Sequence, residues 1–155
     1  MRGAYLLGIR VARPLALRVG ALGCRVFPPG DYLYVGSARG GLGPRLLRHA
    51  RRRSGPPHPL WAPLRARFPT ARGRKGALFW HVDHLLEAAP VELVAAWWQA
   101  GAGEAELLAR LRAAGARPDP PGFGASDRRD GGHLLVFDHR RVRELFPQAE
   151  SVSVR

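Results

Sequence analysis

A chain of 155 residues with 25 Lys and Arg against 12 Asp and Glu, a net charge of +13 and a pI near 11.6, fits one domain with a single core. A field of that sign draws polyanions, and nucleic acid is the expected partner. No apolar run reaches the roughly 20 residues that cross a bilayer, and the one cysteine, Cys24, excludes a disulfide framework and a thiolate metal cluster.

Several further exclusions follow. No basic amphipathic stretch carries a bulky apolar face for a membrane surface, so no membrane partner is expected. The N-terminal Met1-Arg2-Gly3-Ala4-Tyr5 lacks the charged-then-apolar order of a signal peptide, which makes the cytoplasm the expected compartment. Every basic residue except Lys75 is arginine and asparagine is absent. That composition also suits a G/C-biased genome and a hot habitat.

The expected fold class is α+β, a small, mainly antiparallel sheet with an extra N-terminal hairpin and flanking helices. Ala4 to Val11 is apolar, aromatic and β-branched, and predicts a strand that Arg13-Pro14 ends. Leu15–Val19 and Cys24–Phe27, joined by Gly20–Gly23, predict a hairpin, closed by Pro28-Pro29-Gly30. A further strand runs through Tyr32 and Tyr34, so the first third reads as an antiparallel sheet of three or four strands. Gly40, Gly41 and Gly43 then permit a tight turn, and Pro44 suits the first position of a helix running to about Arg53. Ser54-Gly55-Pro56-Pro57 stops that helix.

Beyond it, His58 to Gly76 predicts a loop or short helix pinned by Trp61 and Phe68. Leu78–Leu86 predicts a helix, and Val91–Trp98 a strand whose tryptophan pair belongs to the core. Glu104–Ala114 is amphipathic, with Leu107, Leu108 and Leu111 inward. After an arginine-, proline- and glycine-rich loop from Gly115 to Gly132, His133–Phe137 predicts a last strand. Arg140–Phe146 predicts a short helix stopped by Pro147. No repeat or second domain is visible.

The chemistry gathers around the two aromatic strands and the basic helix. Tyr5 and Tyr34 can meet at one sheet end, and Arg45, Arg48 and His49 fall one turn apart on one helix face. Arginines and a divalent cation nearby would favour a phenolate able to act as general base toward water. Arg45 can neutralise charge building on a phosphate. Glu104, in the first turn of its helix, can hold Mg²⁺ through a single carboxylate or simply complement the helix dipole. Arg39, Arg48, Arg51, Arg52, Arg53 and His58 are candidate nucleic-acid contacts, and the run from His49 to Arg53 reads equally as a solvated helix end. His81, Asp83 and His84 can ligate a metal but match no strict zinc spacing, and a metal role for them or for His133 stays open.

At these residues the chain resembles the GIY-YIG nuclease superfamily. Gly3-Ala4-Tyr5 stands where that family has Gly-Ile-Tyr, and Tyr34-Val35-Gly36 where it has Tyr-Ile/Val-Gly. Arg45, Arg48 and His49 follow the glycine turn, and Glu104 looks like the family's metal-holding glutamate. His58 matches a second histidine of some homing-type members more weakly. A narrower, uncharacterised branch is similar through Gly30–Ala38, Trp80-His81-Val82-Asp83-His84-Leu85-Leu86, and Phe123-Gly124-Ala125-Ser126-Asp127 with His133-Leu134. Its members stand alone or are attached to an endonuclease III-type repair enzyme.

The resemblance implies Mg²⁺-dependent (or Mn²⁺-dependent) hydrolysis of a DNA phosphodiester, structure- or damage-directed, with RNA also open as substrate and a DNA-repair glycosylase/lyase as a partner. In that scheme one tyrosine is the base or positions water, Arg45 stabilises the transition state and Glu104 holds the ion. The chain departs from the family in its longer inter-motif segment, which the hairpin accounts for. It also lacks the late asparagine of many active members, and has Arg128-Arg129-Asp130 where branch members place cysteines. The competing expectations are an inactive nucleic-acid-binding module of the same fold and a domain that recruits a repair partner.

Overall fold

In the computed structural model, which describes residues 2–38, 40–72, 81–120, 123 and 132–154, an α+β fold is built on a six-stranded antiparallel sheet. In chain order the strands are β1 (Gly3–Val11), β2 (Leu15–Arg18), β3 (Cys24–Phe27), β4 (Gly30–Ala38), β5 (Val91–Ala100), β6 (Arg117–Pro118), β7 (Leu134–Val136) and β8 (Glu150–Ser153). The helices are α1 (Leu42–His49), α2 (Trp61–Arg67), α3 (His81–Glu87), α4 (Glu104–Ala113) and α5 (Val142–Leu145). The main sheet runs β6-β7-β4-β1-β5-β8, and β2 and β3 pair only with each other. No helix among the described residues is long and apolar enough to cross a membrane.

β1 reads as a nearly continuous apolar run because both of its faces are covered. Tyr5, Leu7, Ile9 and Val11 face a core shared with Leu42, Leu46 and Leu47 of α1, Leu64 of α2, and Val82, Leu85 and Leu86 of α3. Ala4 and Leu6 face a second core with Leu107 and Leu111 of α4 and Val142 of α5. The adjacent tryptophans divide between these cores: Trp98 is buried in the first and Trp97 packs against the second. Leu107 and Leu111 of α4 are buried as expected, while Leu108 is only partly so.

Three expectations need correction. The first third is not one sheet, since only β1 and β4 pair there and the hairpin stands apart. Pro14 and Pro28-Pro29 interrupt the chain on either side of it, and Val19 and Phe27 instead anchor it in the core under α3. The basic helix spans Leu42–His49 rather than starting at Pro44 and reaching Arg53. Its stop is tertiary: the Ala50 carbonyl accepts from His58 N–H at 2.8 Å, and the Arg53 and Ser54 amides both donate to the Glu87 carboxylate at 2.7 Å. Strands β6 and β8 carry little pattern of their own, and form because β7 and β5 offer them backbone partners. Of the predicted Leu78–Leu86 helix, residues 78–80 lie outside the described residues.

Candidate active site

Four elements bring side chains to one end of the sheet. In the β1–β4 ladder Tyr5 stands opposite Gly36 and Leu7 opposite Tyr34, so the two phenols are diagonal neighbours on one face. Gly36 is what lets the Tyr5 ring lie flat on β4, because a Cβ there would sit 2.5 Å from Tyr5 Cζ and Oη. Gly36→Ala should therefore displace Tyr5 and cost roughly 1–3 kcal/mol through overpacking. Denaturant unfolding checks this, and unchanged stability would mean that the ring is not confined.

Gly41, at φ +119°, turns the chain into α1. On α1, Arg45 and His49 are four residues apart and both reach Tyr5: its hydroxyl lies 2.7 Å from His49 Nε2 and is hydrogen-bonded by Arg45. The Tyr34 ring lies 6.3 Å from the His49 ring and 6.5 Å from that of His133. The fourth element enters through the backbone. Ala4 N–H donates to Ala102 O at 3.0 Å, which fixes the loop before α4, and Glu104 opens that helix two residues later. Its Oε2 lies 3.7 Å from His133 Nδ1, and its charge acts on both phenols.

Burial works against a phenolate at either tyrosine. Tyr5 and Tyr34 are 2% and 7% exposed. Burial first, then Tyr34, pushes the Tyr5 phenol far above its ordinary value, against the opposing pull of Arg45. Burial first, then the Glu104 and Asp83 carboxylates, does the same to Tyr34. Without a cation, the arginine does not offset desolvation, and both groups are protonated at neutral pH rather than phenolate. A protonated Tyr5 donates to His49 Nε2, which makes that imidazole the acceptor.

Tyr32, whose hydroxyl donates to Pro28 O at 2.6 Å, is also pushed up by burial, to about 12. An alkaline titration should accordingly show little phenolate absorbance near pH 10 from any of the three tyrosines. Because the folded values exceed the unfolded ones, this contribution to stability is complete below pH 10 and is lost above it. The loss is about 1.4 kcal/mol per pH unit for each buried phenol that the unfolded chain ionises. Phenolate signal and unfolding should appear together; ionisation of two tyrosines at pH 10 in a folded protein would refute the buried arrangement.

A family model of a domain of unknown function, DUF123, matches residues 4–153. The chain belongs to the DUF123 family. No curated protein and no solved structure matches it.

In this DUF123 domain Tyr5, Tyr34, Arg45, His49 and Glu104 come together, whereas the five described candidate nucleic-acid contacts (Arg48, Arg51, Arg52, Arg53 and His58) do not form one surface. Arg48 leaves the Tyr5 side and makes a bidentate pair with buried Asp83 of α3, at 2.8 and 3.0 Å. His58 is 2% exposed, accepting from Leu93 N–H at Nδ1 (3.0 Å) and donating from Nε2 to Leu86 O (2.8 Å). It is a clasp between α3 and β5, not a phosphate contact. Arg52 donates to Val91 O at 2.6 Å and is half-buried. Arg51, stacked 5.2 Å from the Trp61 ring, and Arg53 are exposed, and Arg39 lies outside the described residues. Trp80, residues 124–127 and Arg128-Arg129-Asp130 also lie outside them.

Asp83 was readable as a metal candidate beside His81 and His84 or as part of a capped or packed helix. Its oxygens are instead engaged by Arg48, and among the described residues no group of three or more His, Cys, Asp or Glu is placed to hold a metal. The His81 imidazole, packed 5.5 Å from the Phe123 ring, is pushed down by burial and then by His84. The clue to Asp83 was a carboxylate one residue from Val82 and three from Leu86 on a helix with an apolar side, where only a partnered charge is tolerated. The donor set suits Mg²⁺ in one mode. The Glu104 side chain is 32% exposed, and Mg²⁺ commonly keeps several waters and takes one carboxylate plus substrate phosphate.

Proposed function

We propose that this DUF123 domain hydrolyses a nucleic-acid phosphodiester with Mg²⁺ or Mn²⁺. The observation that carries the reading is the meeting of Tyr5, Tyr34, Arg45, His49 and Glu104, from four separate elements, at one sheet end. The resemblance of Gly3-Ala4-Tyr5, Tyr34-Val35-Gly36 and Glu104 to the GIY-YIG nuclease pattern supports it, as does the net charge of +13.

Each side chain has a separable task. Tyr5 accepts from Arg45 and donates to His49, so it holds both groups in register. Tyr34, the more exposed phenol, lies between His49 and His133 and is the group placed to meet a water. A divalent cation held by Glu104 would supply charge neutralisation on the phosphate. Tyr34, itself protonated, would position the water whose oxygen bonds to phosphorus, and that water's proton passes to solvent. The P–O bond to the leaving oxygen breaks, and that oxygen is protonated from solvent. Arg45 offsets the charge that builds on the phosphoryl oxygens.

The test is cleavage of supercoiled, branched and single-stranded DNA, and of RNA, with Mg²⁺ or Mn²⁺ against EDTA. Metal-dependent cutting is the expected result. The second reading, a binding module of the same fold, is favoured by one observation, the near-complete burial of Tyr5 and Tyr34, which are 2% and 7% exposed. Tight salt-sensitive binding without cutting of any substrate would select it.

A further inference from the structure

On the sheet face away from the tyrosines, α4 and the Trp97 side chain cover different stretches of β1. Ala4 and Leu6 of β1 lie under Leu107 and Leu111 of α4. Further along the same face come Gly8 and Arg10, and Arg10 shares a recess with Arg140 and with Arg143 of α5. Gly8 makes room for a neighbour, since a Cβ there would sit 3.0 Å from Trp97 Cζ3 and from Ala95 Cβ. The Trp97 indole therefore lies across β1, edge-on to the His139 ring at 5.9 Å.

Above it opens a recess of about 370 Å³ lined by Arg10, Trp97, Arg140, Arg143, Ser151 and Ser153, with no carboxylate among the described lining residues. Carboxylates brace its cations from outside. Arg10 uses Nε toward Asp31 at 3.2 Å, and Arg140 is clamped through Nε and one terminal nitrogen by Asp138 at 3.3 and 3.2 Å. Arg143 has no ion pair among the described residues. His139 donates from Nε2 to Tyr32 O at 2.8 Å, and burial holds its imidazole below the usual range, so it serves as a neutral wall.

Oriented guanidinium groups, two hydroxyls and an indole are the chemistry of phosphodiester binding with a base against the ring. We propose that this recess is a second nucleic-acid contact, gripping the backbone of a strand on the sheet face remote from the tyrosine site. Arg10 is five residues beyond Tyr5 on β1, about 17 Å away and on the opposite face. The inference shares with the proposed function only its class of ligand and needs no cleavage.

Binding of a fluorescent single-stranded oligonucleotide in EDTA, followed by anisotropy across a salt series, tests it. The double variant Arg140→Ala/Arg143→Ala should bind about tenfold more weakly at 0.1 M salt, with the log–log salt slope reduced by roughly 1.4 if two phosphates are lost. Arg18→Ala/Arg112→Ala, which removes the same charge from exposed positions outside the recess, should change affinity less than about twofold, as a diffuse electrostatic effect predicts. Equal losses in both doubles would overturn the site in favour of diffuse attraction. Unchanged oligonucleotide binding in the recess variant would overturn it too, and a concurrent loss of binding to a polyglutamate probe would reassign the recess to an acidic protein. In either case the proposed function stands. Wild-type protein that binds no oligonucleotide would defeat both.

Discussion

Glu104→Ala is expected to lower Mg²⁺-dependent cleavage at least ~10²–10³-fold, the usual cost of removing one group that stabilises developing charge. Nucleic-acid binding should be unchanged or slightly tighter, because the substitution deletes a negative charge from the site proposed to take a polyanion. The fold should survive, since Glu104 is half-exposed at the first position of α4 and its neighbour His133 is held independently, its amide donating to Phe123 O at 2.6 Å. Measuring kcat, affinity and thermal unfolding on one preparation separates these effects. Equal cutting by variant and wild type would mean that the ion is held elsewhere or that the activity is foreign to the protein.

Asp83→Ala is expected to have the largest effect on stability, about 3–5 kcal/mol, because it leaves the Arg48 guanidinium, whose side chain is 14% exposed, without its bidentate partner. For a chain of this size that is a fall in Tm of about 10 °C or more. The double variant Arg48→Met/Asp83→Leu should recover much of the loss, since it removes both buried charges rather than one. A fully additive double would show that the pair is not coupled. The pair also joins α1, which carries Arg45 and His49, to α3, so Asp83→Ala should loosen the site as well as the fold. Loss of activity at temperatures where the variant remains folded would reveal that link.

The local grammar of the chain carried most of the fold. Apolar runs at Ala4–Val11 and Val91–Trp98, glycine turns, proline stops and the leucine spacing of α4 each act within a few residues, so they are visible in the sequence. They also located Tyr5, Tyr34, Arg45, His49 and Glu104, because short strands and helix starts order these groups along the chain. The end of α1 was not legible: it depends on amides of Arg53 and Ser54 captured by Glu87, more than thirty residues away. The hairpin itself was legible, and its separation from the main sheet is decided by Val19 and Phe27 finding the core.

The sequence by itself determined the element types, the excess of positive charge and the residues at the sheet end, because propensity, periodicity and composition are properties of neighbouring residues. Only the tertiary structure decided the partners and burial of individual side chains. Arg48 and His58 look like phosphate contacts in a basic segment, yet one is drawn inward by Asp83 and the other by the backbone of Leu86 and Leu93. The tyrosines stand near arginine in the sequence, and burial in the fold pushes both phenols up. Burial and long-range pairing set the charge and partner of a side chain, and both arise from packing between segments distant in the chain.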